Sequence, residues 1–310
     1  MRTSPYQGEL LRYTGGVATE VVAPAFVSHG RDARHSPVLS TTTLKLAIGP
    51  GKRSGPLPLV SCLMVTKSRL QQAQLAIGCF RRQTWPSKEL VILDESADDR
   101  LADWIHGLGD PAIRLFSIRG TREVLGSLRN RSIELATGSF VCQWDDDDLQ
   151  HPARLEIAMA AMAVTRRPVS FLARQTLWAP LRGRVAVMGV RPYENTVLAA
   201  RAIMPRYPHL PRAEDTPVSE ALFDRYPPVL VNLPELYIYV VHGRNTWDES
   251  HMNNVWQLAT NREEGSATEA TLAALGQAYP IAEYATLIKM RGAHGLRSGL
   301  EALPQTVQSN

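Results

Sequence analysis

Four consecutive aspartates, Asp145-Asp146-Asp147-Asp148, follow directly on the apolar run Phe140-Val141-Cys142-Gln143-Trp144. Adjacent carboxylates repel one another unless something cationic collects them, and a divalent metal is the simplest collector. In an extended segment residues two apart share a side, so Asp145 and Asp147 are expected to face one point while Asp146 and Asp148 face away. Two carboxylates presented in this way leave room for Mg²⁺ or Mn²⁺ to take further oxygens from a diphosphate and from water. The same residues have other uses. They suit an acidic surface loop, and Asp148 is placed to cap the helix that Pro152 opens. A calcium loop of the EF-hand kind would need a glycine and a distal glutamate that the run lacks.

A second set of polar residues lies further along. Glu214-Asp215-Thr216 stands before an amphipathic stretch reaching Arg225. Carboxylates there either cap the helix, where free N–H groups and the helix dipole favour them, or one of them deprotonates an attacking hydroxyl. His242, Arg244 and Asn245 follow the strand-like run Leu236 to Val241. They are read either as hydrogen-bonded surface residues or as groups for a metal or phosphate. Thr66, Lys67 and Arg69 close a first apolar run, and Asp94 and Glu95 close a second.

The elements that must hold these groups alternate in type. Leu59 to Val65 reads as a strand, Leu70 to Arg82 as an amphipathic helix, and Glu89 to Leu93 as the next strand. A helix around Asp99 to His106, a strand from Ile113 to Ser117, a helix from Ser127 to Thr137 closed by Gly138, and the strand before the aspartates continue the series. Such alternation predicts an α/β fold with a sheet flanked by helices, whose ligands sit beyond the carboxyl ends of the strands. After a helix from Pro152 to Thr165, strand-like runs at Val169 to Leu177, Val185 to Val190 and Thr196 to Ala200 make the architecture mixed. Ser266 and Glu269, in capping-box spacing before Leu272 and Leu275, predict a helix in the tail. Three regions follow: an N-terminal appendage and linker over 1–56 with the β-like run 41–48 and breakers over 49–58, a principal domain over 57–260, and a helical extension over 261–310.

Bulk properties narrow the function classes. The 310 residues carry 34 Lys and Arg against 30 Asp and Glu, so the excess of +4 is too small to favour a nucleic-acid partner. Cys62, Cys79 and Cys142 form no CxxC pair and sit in apolar stretches, which predicts buried free thiols rather than a zinc site or disulfides. No stretch approaches the ~20 apolar residues of a membrane span, and the amino terminus lacks an apolar signal core. A cytoplasmic location is expected, compatible with peripheral attachment to a membrane.

Taken in order, several segments resemble the inverting family 2 glycosyltransferases, whose fold is GT-A, a Rossmann-like mixed sheet flanked by helices. Val60 to Arg69 resembles the family's opening strand and turn, with Val65-Thr66-Lys67-Ser68 where Pro-Thr-Tyr-Asn is usual. Gln83-Thr84-Trp85-Pro86 and Glu89 to Ser96 resemble the second strand and its acidic end, Gly126 to Pro152 the segment around the aspartates, Glu214-Asp215 the Glu-Asp pair, and Tyr239 to Asn245 the closing strand and histidine. Ser96-Ala97 replaces the usual Gly-Ser, and Asp146 enlarges the metal motif.

The resemblance implies metal-dependent transfer from a nucleotide diphosphate sugar to a glycan, a lipid-linked sugar or another hydroxyl. It implies that Asp94 contacts the base, Thr66 holds the nucleoside, and Arg129 lies near the nucleotide or its phosphates. Asp145 would face the ribose or the metal, Asp147 would be the principal metal ligand and His242 a further one. Asp215 would be the general base and Glu214 an orienting group. By position Arg69 and Asp146 join the donor-binding set. A sugar nucleotidyltransferase would carry a glycine-rich loop after its first strand, and Val65 to Arg69 contains no glycine. A non-catalytic nucleotide- or glycan-binding module would have little use for both a metal cluster and a separate base.

Overall fold

The alternation of strand-like and helix-like runs is realised in a computed structural model that describes residues 18–24, 41–47, 56–120 and 122–289. In chain order the strands are β1 (Ala18–Pro24), β2 (Thr41–Ala47), β3 (Val60–Thr66), β4 (Lys88–Asp94), β5 (Ile113–Ser117), β6 (Phe140–Gln143), β7 (Leu149–Gln150), β8 (Val169–Leu172), β9 (Thr176–Ala179), β10 (Arg184–Val187), β11 (Leu198–Ala200), β12 (Val229–Val231), β13 (Tyr237–Val240) and β14 (Thr260–Glu264). The helices are α1 (Leu70–Arg81), α2 (Arg100–Leu108), α3 (Leu125–Leu135), α4 (Arg154–Thr165), α5 (Asp215–Arg225), α6 (Glu249–Leu258) and α7 (Thr268–Leu275), and residues 281–289 are helical as well.

The large sheet runs β2-β1-β12-β8-β11-β6-β3-β4-β5. Strands β6, β3, β4 and β5 are mutually parallel, whereas β11 runs antiparallel to both β6 and β8. The α/β expectation of a mixed sheet flanked by helices therefore holds. Side chains alternate across it. Cys62, Met64, Leu90, Ile92 and Cys142 pack with Ala73, Ile77 and Phe80 of α1 and Leu155 and Met159 of α4, while Leu63, Val91 and Val141 face Ala136 and the end of α3. Burial on both faces explains why these strands read as continuous apolar runs rather than as alternating ones. β1 and β2 pair antiparallel, and β1 joins the sheet beside β12 with Val21 opposite Val231.

A smaller sheet, β14-β10-β9-β13-β7, stands after the aspartates. The single strand expected over 169–177 is in fact two. β8 belongs to the large sheet and β9 to the small one, and the chain crosses between them at Ala173 to Gln175, where the Ala173 amide still bonds Val231 while the Gln175 carbonyl already accepts from Met188. The sequence does not show such a change of partner, because both strands are buried alike and Arg174-Gln175 between them can equally belong to one strand. The capping box at Ser266 and Glu269 does not form. A 3-10 turn occupies 265–267, and α7 opens after Ala267 with no side-chain cap. Ile48, residues 49–55 of the breaker-rich stretch and the tail from 290 onward lie outside the described residues.

Candidate active site

Strands β3 and β4 end level with one another, Thr66 opposite Asp94, and β6 runs beside β3 with Cys142 opposite Cys62. Beyond these ends lies a cleft of about 850 Å³, lined by Thr66, Arg69, Arg129, the four aspartates, Glu214 and Asp215 among others. It is the crevice that parallel topology puts outside the carboxyl ends of strands. Asp94 and His242 are not among its lining residues. Asp94 is buried at the end of β4, its carboxylate accepting the Ser96 amide at 2.8 Å. His242 reaches the site from behind, through Asp147.

The aspartate run does not stay extended. Regular strand stops at Gln143 and a turn covers Asp146 and Asp147. The two-residue alternation is therefore replaced by another arrangement. Arg69 Nη1 donates to Asp146 Oδ1 at 2.9 Å and to Asp147 Oδ2 at 2.6 Å, gathering neighbours instead of alternate residues. Thr66 Oγ1 donates to Asp146 Oδ2 at 2.6 Å. Asp145 instead accepts from Arg129 Nη2 at 3.2 Å and from Gln143 Nε2 at 3.1 Å. Asp148 turns inward, where it accepts from the Tyr237 hydroxyl at 2.7 Å and the Val240 amide at 2.8 Å. It caps no helix, since α4 begins after Ala153 without a side-chain cap.

Four adjacent carboxylates, Asp146 and Asp148 buried and Asp145 and Asp147 half-buried, with few cations cannot all ionise freely. Burial, with Asp147 adding repulsion, pushes the Asp146 carboxyl up to about 7 against the pull of Arg69 and Thr66. Burial likewise raises Asp145, opposed by Arg129, and raises Asp148, where Asp147 and Asp145 add to the effect. Asp147 is the exception. Burial alone would raise it, but the His242 hydrogen bond and the Arg69 charge outweigh burial and hold it below the usual carboxylate range.

Asp147 Oδ2 and His242 Nε2 are 3.0 Å apart. Two adjacent ligands of an ion with ligand distances of about 2.1 Å stand about 3 Å apart, so a hard oxygen and an imidazole nitrogen here suit Mg²⁺ or Mn²⁺. Among the described residues no group of three or more His, Cys, Asp and Glu side chains is arranged to hold a metal. Diphosphate and water oxygens would therefore have to complete such a sphere.

The other wall comes from α3 and α5. Arg129, on α3, donates through Nε to Glu214 Oε1 at 2.6 Å as well as to Asp145, and so ties the start of α5 to the aspartate turn. Gly126 permits this approach. A Cβ there would stand 1.9 Å from the Pro208 carbonyl oxygen, and its amide donates to Leu210. Glu214 is the residue before α5, yet no side-chain cap forms, so the capping use of Glu214-Asp215-Thr216 is not the one adopted. Asp215 lines the cleft, and burial, assisted by Glu214, Glu194 and Asp145 against Arg129, pushes its carboxyl up to about 6.

Several supporting groups gave no sequence signal. Tyr237 lies inside an apolar strand run, and only the fold places its hydroxyl on Asp148. Tyr284, in the helical stretch 281–289, donates its hydroxyl to the Asp147 carbonyl, so the tail braces the acidic turn. Asn245, one of the sequence candidates, adopts the hydrogen-bonded use and fixes His242 by accepting its amide at 3.0 Å and donating to the Val240 carbonyl at 2.8 Å. The three cysteines are free and buried, as expected.

Residues 61–176 match the family model described as Glycosyl transferase family 2. WcaA of Escherichia coli K12, named as a colanic acid biosynthesis glycosyl transferase, is 32% identical over 105 residues, which is 33% of this chain and 37% of the relative. WfgD of Escherichia coli, named as a UDP-Glc:alpha-D-GlcNAc-diphosphoundecaprenol beta-1,3-glucosyltransferase, is 25% identical over 114 residues, 37% of this chain and 44% of the relative. The chain thus spans less than half the length of either. Among solved structures, Staphylococcus aureus TarS 1-349 in complex with UDP-GlcNAc superposes with a TM-score of 0.49 at 15% identity, over 64% of this chain and 70% of TarS 1-349.

Proposed function

Because residues 61–176 belong to Glycosyl transferase family 2, we propose that the chain moves a sugar from a nucleotide diphosphate donor onto a hydroxyl acceptor, with inversion at the anomeric carbon. The observation that carries this reading is the single cleft lined both by the aspartate turn with its arginines and, from a separate helix, by Asp215. A carboxyl pushed up to about 6 suits a general base near neutral pH, ionised yet basic enough to accept a proton.

In the proposed step the acceptor oxygen forms a bond to the anomeric carbon as the bond from that carbon to the diphosphate oxygen breaks. The hydroxyl proton passes to Asp215 and the nucleoside diphosphate departs with the bonding electrons. Arg69 and Arg129 place positive charge at the donor end, and Glu214 orients Arg129. A Mg²⁺ or Mn²⁺ held by Asp147 and His242 would supply neutralisation of the charge gathering on the leaving diphosphate. Thr66 and Asp145 line the space for the donor. Asp94, beside Thr66 at the strand ends, is assigned to the region of the base.

The test is a screen of nucleotide sugars, beginning with UDP-glucose because WfgD is named for that donor. Purified full chain is expected to release nucleoside diphosphate slowly from one donor when Mn²⁺ or Mg²⁺ is present. Absence of release from every donor, together with absence of donor binding by calorimetry, would overturn the reading.

A further inference from the structure

Exposed large apolar side chains are unevenly distributed on this molecule. Among the described residues six stand out: Val164, Leu181, Val190, Leu210, Trp247 and Leu258. Val190, Trp247 and Leu258 line the cleft. Leu181 lies against Gly243, four residues before Trp247, where an added Cβ would meet its side chain at 3.9 Å. Leu210 belongs to the loop that carries Arg212, and Arg212 in turn packs over the Trp247 ring at 5.7 Å. Only Val164, on α4, lies apart from this rim. Single exposed apolar residues are ordinary, but five gathered about one opening mark an interaction surface.

The degree of exposure selects the occupant. Leu258 is 78% exposed, and Leu181 and Val190 are each 56% exposed. Side chains that protrude so far from the mouth of the cleft leave much of their apolar area facing outward. They are suited to entering a deformable apolar phase while the polar groups beside them stay at its surface. Arginines accompany them. Arg191 is paired with Glu194 and Arg182 with Glu249, but among the described residues neither Arg212 nor Arg244 has a carboxylate partner. Two unpaired guanidinium groups beside an apolar rim complement anionic headgroups. Asp248 and Glu249 also lie near, and Asp248 is engaged in capping α6. No described helix is long and apolar enough to cross a membrane, so attachment through this surface would be interfacial.

We propose that the rim formed by Leu181, Val190, Trp247 and Leu258, with Arg212 and Arg244, docks the protein on an anionic lipid surface with the mouth of the cleft turned toward the bilayer. This goes beyond the glycosyl-transfer reading and does not depend on it. Contact made at the mouth would present lipid-borne hydroxyls to the cleft without a search through bulk water.

The full chain should sediment with vesicles of phosphatidylcholine containing about one third phosphatidylglycerol, and much less with pure phosphatidylcholine. The double variant Val190→Ser and Leu258→Ser should bind the anionic vesicles about tenfold more weakly, since two apolar insertions are lost. Arg244→Glu should weaken binding to anionic vesicles and leave the small residual binding to neutral ones unchanged. Val164→Ser, away from the rim, should bind as the parent does. These positions are exposed, so folding is expected to survive, and circular dichroism with a thermal melt verifies it. Absence of binding to anionic vesicles, or equal binding by the parent and the folded double variant, overturns the proposal. Nucleoside diphosphate release by the parent from a soluble donor, measured without vesicles, reports on the enzymatic reading by itself and so separates failure of docking from failure of that reading.

Discussion

The two ends of the parallel strands treat buried carboxylates in opposite ways. At the amino end Glu89, near the start of β4, accepts from Ser61 Oγ at 2.6 Å, from the Thr137 amide and hydroxyl at 2.6 and 2.8 Å, and from Arg114 at 2.9 Å. Burial by itself would raise this carboxyl, but these donors together hold it down at about 2. At the carboxyl end four aspartates and Asp215 share Arg69 and Arg129, and Asp146 and Asp215 are pushed up to about 7 and about 6. One end is saturated with donors and holds the fold together. The other is short of positive charge, which suits a region that must bind charged groups and move a proton.

The contrast makes removal of a carboxylate affect reactivity at one end and stability at the other. The largest effect is expected from Asp215→Asn, which should lower transfer about a thousandfold while leaving donor affinity by calorimetry within about twofold. The same variant should be the more stable protein above pH 6. Asp215 is ordinarily near 3.8 and is raised to about 6 here, so its contribution to stability is fully present below 3.8 and lost as pH rises through 6. Asparagine removes that loss, worth at most about 3 kcal/mol, and chemical denaturation at pH 5 and pH 8 measures it. A variant destabilised at pH 8 would break the comparison. By the same ionisation, transfer by the parent should rise with pH through about 6.

Asp147→Ala should follow, with a loss of one hundredfold or somewhat more in donor cleavage and weaker binding of Mn²⁺ in the absence of donor, readable by titration calorimetry. Unchanged Mn²⁺ affinity would remove Asp147 from the proposed ligand set. Glu89→Gln is expected to leave donor cleavage near the parent value and to cost about 2 kcal/mol of stability at pH 7. Its folded value lies below its ordinary 4.5, so the stabilisation is present above 4.5 and lost as pH falls toward 2, and the difference between variant and parent should shrink over that window. The smallest effect belongs to Tyr237→Phe. Removing the phenol that donates to Asp148 should cost about 1 kcal/mol in denaturation and change donor cleavage only a few-fold.

Much of the molecule is legible in the amino-acid sequence. The strands β3 to β6 and the helices between them show clearly because a doubly covered parallel sheet needs unbroken apolar strands and amphipathic helices, and both leave strong periodic signals. Thr66, Arg69 and the aspartates are candidates because they follow strand ends and Arg129 because of the family resemblance, and the fold gathers them in one cleft. Which aspartate meets which partner was not legible. An extended reading joined Asp145 with Asp147, whereas the turn at Asp146 and Asp147 sets those two on Arg69 and sends Asp145 to Arg129. A turn of one or two residues leaves no periodicity to detect. The division between β8 and β9 is hidden because both strands are equally buried and the Arg174-Gln175 pair between them can equally belong to one strand.

The sequence by itself determined the α/β class and the excess of carboxylates at one strand end, because hydrophobic periodicity and charge content are local properties of the chain. Only the tertiary structure decided that Tyr284 from the tail supports the Asp147 carbonyl, that Arg129 links Glu214 to Asp145, and that exposed apolar residues from separate segments collect at one mouth. Those relations join residues far apart along the chain. Their energies depend on distance in space and on burial, which no local pattern of residue types records.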